Sequence, residues 1–248
     1  MILARLAAGI RRQDWAAVVI EFVIVVAGIL FALQADDWNR QRLARAEERA
    51  VLERLHDEMR DALAYYDLMS GRIRGWNADI ERLIAALEAG DLDALTDDEI
   101  EVALRRSSWL PPLTPPRAIL DKLVSAGQSD LLRDRAVALA VSHYAQELAF
   151  TEQILRDEDA AAPDVVAAAG SGVRRRLDPA DDFAVGLAID RQALRAAPAL
   201  LDALLATYRI RVSSVRNHRA DLREDALVLC NRLAQALGEP ACRPTPAG

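Results

Sequence analysis

The sequence predicts an all-α protein: a transmembrane helix near the N-terminus running into a long stalk helix, then an antiparallel helical bundle. Three observations predict it. Residues 15–38, WAAVVIEFVIVVAGILFALQADDW, are apolar almost throughout. Two long stretches further on repeat apolar residues every three or four positions. The composition is rich in Ala, Leu and Arg and poor in aromatics, at 5%, as helical proteins are.

The first observation sets the plan. A hydrocarbon core of ~30 Å needs about 20 apolar helical residues. At about 1.5 Å per residue, Trp15 and Trp38 lie roughly 35 Å apart, the spacing of two interfacial aromatic anchors. A cleaved signal peptide would use Arg5, Arg11 and Arg12 as its basic region. The apolar run is too long for one, and Leu33-Gln34-Ala35 lacks the small residue two positions before Ala35. A buried core helix is rarely so uniformly apolar at this length. Residues 1–14 form the segment before the span, with Ile2, Leu3, Leu6 and Ile10 facing lipid from an interfacial helix. Arginines on the two sides, three before and Arg40, Arg42, Arg45 and Arg49 after, do not settle orientation. The expected arrangement puts the N-terminus in the cytoplasm of a bacterial inner membrane and residues 39–238 in the periplasm as one helical domain, with 239–248 as a tail.

Glu21 is the one charge inside the apolar run of the span, ahead of Asp36 and Asp37 at its end. An ionisable group at that depth is costly and usually faces a partner or a wet cavity. Helical spacing gathers Ala17, Glu21, Gly28, Ala32 and Ala35 on one side. Gly28 and Ala32 make a small-xxx-small pair that lets two helices approach closely. The expectation is that this face packs on a second copy or on another membrane protein. The alternative is a protonated or snorkelling Glu21 on a lone helix.

From Arg40 the chain reads as helix. Leu52, Leu55, Met59, Ala62, Tyr66, Met69, Ile73, Trp76, Ile80, Leu83 and Leu87 form a heptad seam. Gly90 is placed to end it, and Gly71 and Gly75 are points where it could bend. Thr96-Asp97-Asp98-Glu99 has the residues of a capping box and opens a short helix. The prolines of SSWLPPLTPP at 107–116 require a loop. A short helix follows from Pro116 to Ser125. Asp130 or Asp134 starts a long one to about Ala160, carrying Leu139, Ser142, His143, Gln146 and Phe150. Residues 161–180, with GSG, Pro179 and Arg174-Arg175-Arg176, read as a loose solvated loop, and 181–194 as weakly helical. The last long helix begins near Pro198. Its seam is Leu201, Leu205, Tyr208, Val212, Val215, Leu222, Ala226, Leu229 and Leu233, interrupted at His218 or Arg219. Gly238 and Pro240 end it.

Little points to chemistry. The net charge of −7, with arginines interleaved among acids, argues against nucleic acid as a partner. No phosphate-binding loop, dinucleotide fingerprint or nucleophile elbow occurs. Glu53 and His56 make one E-x-x-H, but a di-iron bundle needs two of these and two more Glu. His143 and Glu147 share a helical face, and a solvent-side histidine is the plainer reading. Cys230 and Cys242 belong to no C-x-x-C pair. Two readings of them stand side by side: a disulfide pinning the tail to the last helix in an oxidising compartment, or two unrelated thiols. No catalytic residue, cofactor or metal ligand is assigned, and the protein reads as a non-enzyme.

Glu21, Gly28-Ile29-Leu30, Ala32-Leu33-Gln34 and Trp38-Asn39 together resemble the first span of an uncharacterised family of bacterial single-span membrane proteins. A second block resembles it as well: Ile119, Leu120, Leu123, Ser125, Gly127, Leu131, Leu132, Arg135 and Tyr144. The blocks touch about a quarter of the chain, and the family often has Asn where Asp36 and Asp37 stand. The resemblance implies a membrane-anchored helical domain and brings no activity with it. The functional expectation is an interaction or scaffold protein, self-associating or bound to a membrane partner. A ligand-sensing or signalling subunit is the second expectation.

Overall fold

The computed structural model describes residues 15–125, 127, 132–176 and 186–242, with side chains from Val19 onward. The interfacial helix expected within 1–14, the hairpin tip, the last residues of the tail and the side chains of Trp15 and Ala17 lie outside them. The chain divides into two compact units, Met1–Val51 and Leu52–Gly248. Residues 39–47 and 49–50 are exposed on their helix, and the second unit begins at Leu52.

Helix α1 spans Trp15–Glu88 and supplies residues to both units. Gly71 and Gly75 do not interrupt it. In the first unit its side chains point outward from Val19 to Leu33, with Ala27 half-covered. This is the one helix among the described residues long and apolar enough to cross a membrane. Beyond it, Arg40 pairs with Asp36 at 2.6 Å, and the Arg42 guanidinium lies 5.9 Å from the Trp38 ring centroid.

The second unit is helical with one small hairpin. After α1, Gly90 turns the chain at φ +69°, and Asp91 N–H bonds back to Ala86 O, closing the helix end. Helix α2 (Asp97–Ser107) opens on Thr96, with both halves of the capping box formed. An extended proline-rich loop leads to α3 (Ala118–Ser125), then α4 (Arg135–Ala161), which Asp134 caps. Short helices α5 (Val165–Ala168) and α6 (Arg191–Arg195) flank the hairpin. Helix α7 (Pro198–Ser213) passes through a π-helical turn, Ser214–Arg219, into α8 (Ala220–Leu237).

Partner pairs set the directions. Asp67 meets Arg223, Asn77 meets Arg211 and Glu81 meets Tyr208. The numbers rise on one side as they fall on the other, so α7–α8 runs antiparallel to α1. His143 meets Asp225 and Glu158 meets His218, so α4 is antiparallel to the same pair. The α1 seam packs as its spacing requires: Leu55, Met59, Ala62, Tyr66, Ile73, Ile80 and Leu83 are fully buried. A second cluster joins Ile80 and Leu83 of the α1 end and Leu92 just after it to Ile100, Leu104, Val165, Leu194, Leu200 and Leu204.

Three expectations are corrected. The described part of 161–180, up to Arg176, is not a loose loop: α5 is followed by strand β1 (Val173–Arg176), antiparallel to β2 (Gly186–Ile189). The arginine run lies exposed along β1, so it reads as loop although its backbone is paired. Residues 186–189, expected to be weakly helical, form its partner, and Glu101 accepts the Leu187 N–H at 3.0 Å. The hairpin packs closely: a Cβ at Gly172 would lie 2.8 Å from Leu194 N. On α7 the buried face is Leu200, Ala203, Leu204, Thr207 and Arg211, whereas Leu205 is exposed and Leu201, Tyr208 and Val212 are half-buried. The π turn adds a residue to one turn and rotates the face. After it, Leu222, Ala226, Leu229 and Leu233 are buried as the spacing requires.

Candidate functional site

Three places in the described residues combine polar chemistry with an unusual setting. The first is the apolar helix. Glu21, Gly28, Ala32 and Ala35 are all exposed, and nothing lies within 4 Å of a Cβ built on Gly28. The face therefore has room for a close-packing helix.

The second is built around two buried arginines in the core of the body. Arg211 and Arg219 are 1% and 0% exposed. Among the described residues neither has a carboxylate at salt-bridge distance; their acceptors are carbonyls. Arg211 donates Nε–H to Asn77 Oδ1 at 2.9 Å and Nη1–H to Trp109 O at 2.6 Å. Arg219 donates to Pro111 O at 2.7 Å. Tyr65 continues the pattern: its hydroxyl donates to Pro112 O at 3.2 Å and accepts Thr114 N–H at 2.8 Å. A proline-rich loop has carbonyls to satisfy and few N–H groups of its own, so these side chains fix it. Trp76 and Trp109 pack 5.7 Å apart between ring centroids, with the Arg211 guanidinium 5.9 Å from the Trp76 ring. Burial, then the neighbouring Arg106 and Arg219, push the Arg211 pKa down to about 10. Burial lowers that of Arg219 as well. Beside them Tyr66 and Tyr144 share a hydrogen bond of 2.9 Å in the core. Burial raises both hydroxyls, Tyr144 to about 12.

Glu58 does similar work on α1. Its two carboxylate oxygens accept Leu120 N–H at 2.9 Å and Ile119 N–H at 2.7 Å, so α1 caps the start of α3.

The third place is where the tail meets α1. Cys230, in the last turns of α8, is bonded to Cys242, with Cα atoms 6.0 Å apart. Gly238 ends α8 in the left-handed region at φ +75°, and Glu239 N–H bonds to Ala234 O, which turns the tail back. Asn231 Oδ1 accepts the Cys242 N–H at 2.8 Å. His56, 5% exposed, then places Nε2 3.2 Å from Cys242 Sγ. A cleft of about 860 Å³ opens over this point, lined among others by Asp57, Arg60, Asp61, Glu239 and Cys242.

The sequence identified the two cysteines but not their neighbour. His56 lies 186 residues from Cys242, and its only sequence signal was the E-x-x-H, whose Glu53 is exposed. His143 stands at the surface beside Asp225 at 3.4 Å. Arg219 carried no signal beyond its place, with His218, at an interruption of an apolar seam, and Arg211 carried none. No family model, no curated protein and no solved structure matches the chain.

Proposed function

We propose that the protein is a single-pass membrane protein whose helical body is an interaction module and whose anchor self-associates. The observation that carries this is the stretch Val19–Leu33, where large apolar side chains point outward on every side of the helix and none is buried in the chain. Burying such surface is worth about 25 cal/mol per Å², so it requires either lipid or protein around it. The likeness of its Glu21-to-Asn39 pattern to a family of bacterial single-span proteins agrees.

The occupant proposed for the small-residue face is a second copy of the same helix. Gly28, Ala32 and Ala35 leave room for backbone contact, and Glu21 on each copy then shares a hydrogen bond with its counterpart away from lipid. The body faces the periplasm in this reading, where the Cys230–Cys242 bond forms and persists.

Photo-crosslinkers placed at positions 24 and 31 of the full chain in its membrane test the reading. A dimer band that weakens in Glu21→Gln and Gly28→Ile supports it. A strict monomer with no crosslinked product from any position along the helix overturns the self-association. Crosslinking to a different protein alone assigns the face to that partner instead.

A further inference from the structure

We propose that the reduced form of Cys230 and Cys242, together with His56, is a zinc site, so that the C-terminal staple is closed by a disulfide under oxidising conditions and by a metal ion under reducing ones. The proposal does not depend on the membrane reading: all three residues belong to the body, Leu52–Gly248.

The geometry comes first. One ligand atom from each of His56, Cys230 and Cys242 lies within 4.8 Å of the others. Tetrahedral zinc with Zn–S of about 2.3 Å and Zn–N of about 2.0–2.1 Å sets neighbouring ligand atoms roughly 3.5 Å apart. His56 Nε2 already stands 3.2 Å from Cys242 Sγ. The two sulfurs must separate, which rotation of the Cys242 side chain, beyond the last helical residue Leu237, accomplishes without moving its backbone.

The chemistry of the donors agrees. Two thiolates and a neutral imidazole are ligands that zinc prefers, and two thiolates balance its charge, which a buried site demands. His56 and Cys230 are buried, at 5% and 0% exposure. Cys242 opens on the cleft, which supplies entry and a fourth ligand: water, or a carboxylate from Asp57, Asp61 or Glu239. In the oxidised state the imidazole is left beside a neutral disulfide sulfur, a weak partner. The metal-bound state gives it a strong one. Asn231, bonded to the Cys242 N–H, holds the backbone at the site in place.

The redox step balances with a dithiol as reductant. The dithiol passes two electrons and two protons to the Cys230–Cys242 bond and becomes a disulfide itself, leaving two thiols here. Zinc(II) then displaces both thiol protons and binds with no change of oxidation state. A small-molecule disulfide takes the two electrons back: it becomes a dithiol with two protons from solvent, the Cys230–Cys242 bond reforms, and the ion is released.

The test uses the full chain in detergent micelles, reduced with a phosphine and freed of metal. Zinc is titrated against a chromophoric chelator, and cobalt(II) serves as a spectroscopic probe. The reduced chain is expected to take up one zinc ion and to give thiolate-to-cobalt charge-transfer absorption, whereas the oxidised chain does neither. Cys242→Ser removes tight binding. His56→Gln weakens zinc by more than about tenfold, while its oxidised form melts like the parent. Zinc-edge absorption on the loaded parent protein, which needs no variant, reads two sulfurs and at least one imidazole nitrogen. Equal uptake by oxidised and reduced chains, unchanged affinity in His56→Gln, or a zinc-edge spectrum without sulfur would overturn the proposal.

Discussion

Two stretches of the same helix, Val19–Leu33 and Leu52–Leu87, differ in how densely their apolar residues are set, and they treat their side chains in opposite ways. Along the first, Phe22, Ile24 and Phe31 are more than 60% exposed. Along the second, Leu55, Met59, Ile73 and Ile80 are fully buried while Asp57, Arg60, Asp61, Arg72 and Arg74 on the other side face water. The difference is in the density and the spacing of the apolar residues. Apolar residues all round a helix leave no face for water and none for a preferred protein neighbour. A three-four repeat makes a single seam, which a neighbouring helix can cover. The number of apolar residues decides that a helix is greasy; their spacing decides what covers it.

Substitutions sharpen the contrast, and the largest effect belongs to the seam. Leu83→Ala is expected to cost about 3 kcal/mol of body stability, read as a lowered midpoint in thermal melts of the detergent-solubilised chain. Phe31→Ala should leave that midpoint where it is.

The staple comes next. In the oxidised protein, Cys242→Ser opens a loop closed between residues separated by 12 positions, worth about 2–3 kcal/mol. A denaturant midpoint unchanged by this substitution would remove the tail from the account of stability.

The tyrosine pair gives a pH dependence. Burial holds the Tyr66 and Tyr144 hydroxyls above their ordinary value of 10. The Tyr144 contribution is therefore complete below about pH 10 and is lost as pH rises through about 12, and Tyr66, raised further, acts in the same direction. Arg211, lowered to about 10 by burial, acts in the opposite sense over the same interval. The informative quantity is the difference between the parent and Tyr144→Phe. The variant should lose less stability between pH 9 and 11.5, and parallel curves would contradict this.

The smallest effect is at the α3 cap. Glu58→Gln keeps the size but loses the charge that two N–H groups share, at a cost of about 1 kcal/mol. Amide exchange at Ile119 and Leu120 should quicken first.

What the sequence made legible follows the same division. The α1 seam, the Thr96 capping box, the proline loop and the Gly238 stop were readable because each depends on neighbours within a few residues. The hairpin was not: Val173-Arg174-Arg175-Arg176 has no alternation, and its pairing with Gly186–Ile189 is a tertiary fact. The first half of the last seam was misread as Leu201, Leu205 and Tyr208 because a single π turn at Ser214–Arg219 shifts the face. His143 at the surface was foreseen. The approach of His56 to Cys242 was not, since no local pattern connects residues so far apart in the chain.

The central claim is that the first apolar helix is solvated by lipid while the rest of the chain is a folded body attached to it. Membranes from expressing cells, washed with alkaline carbonate, test it most directly when the N-terminus of the recovered chain is also identified by mass spectrometry. The account predicts an uncleaved chain that stays in the pellet and is released only by detergent. An uncleaved chain in the aqueous supernatant, without detergent, would contradict it.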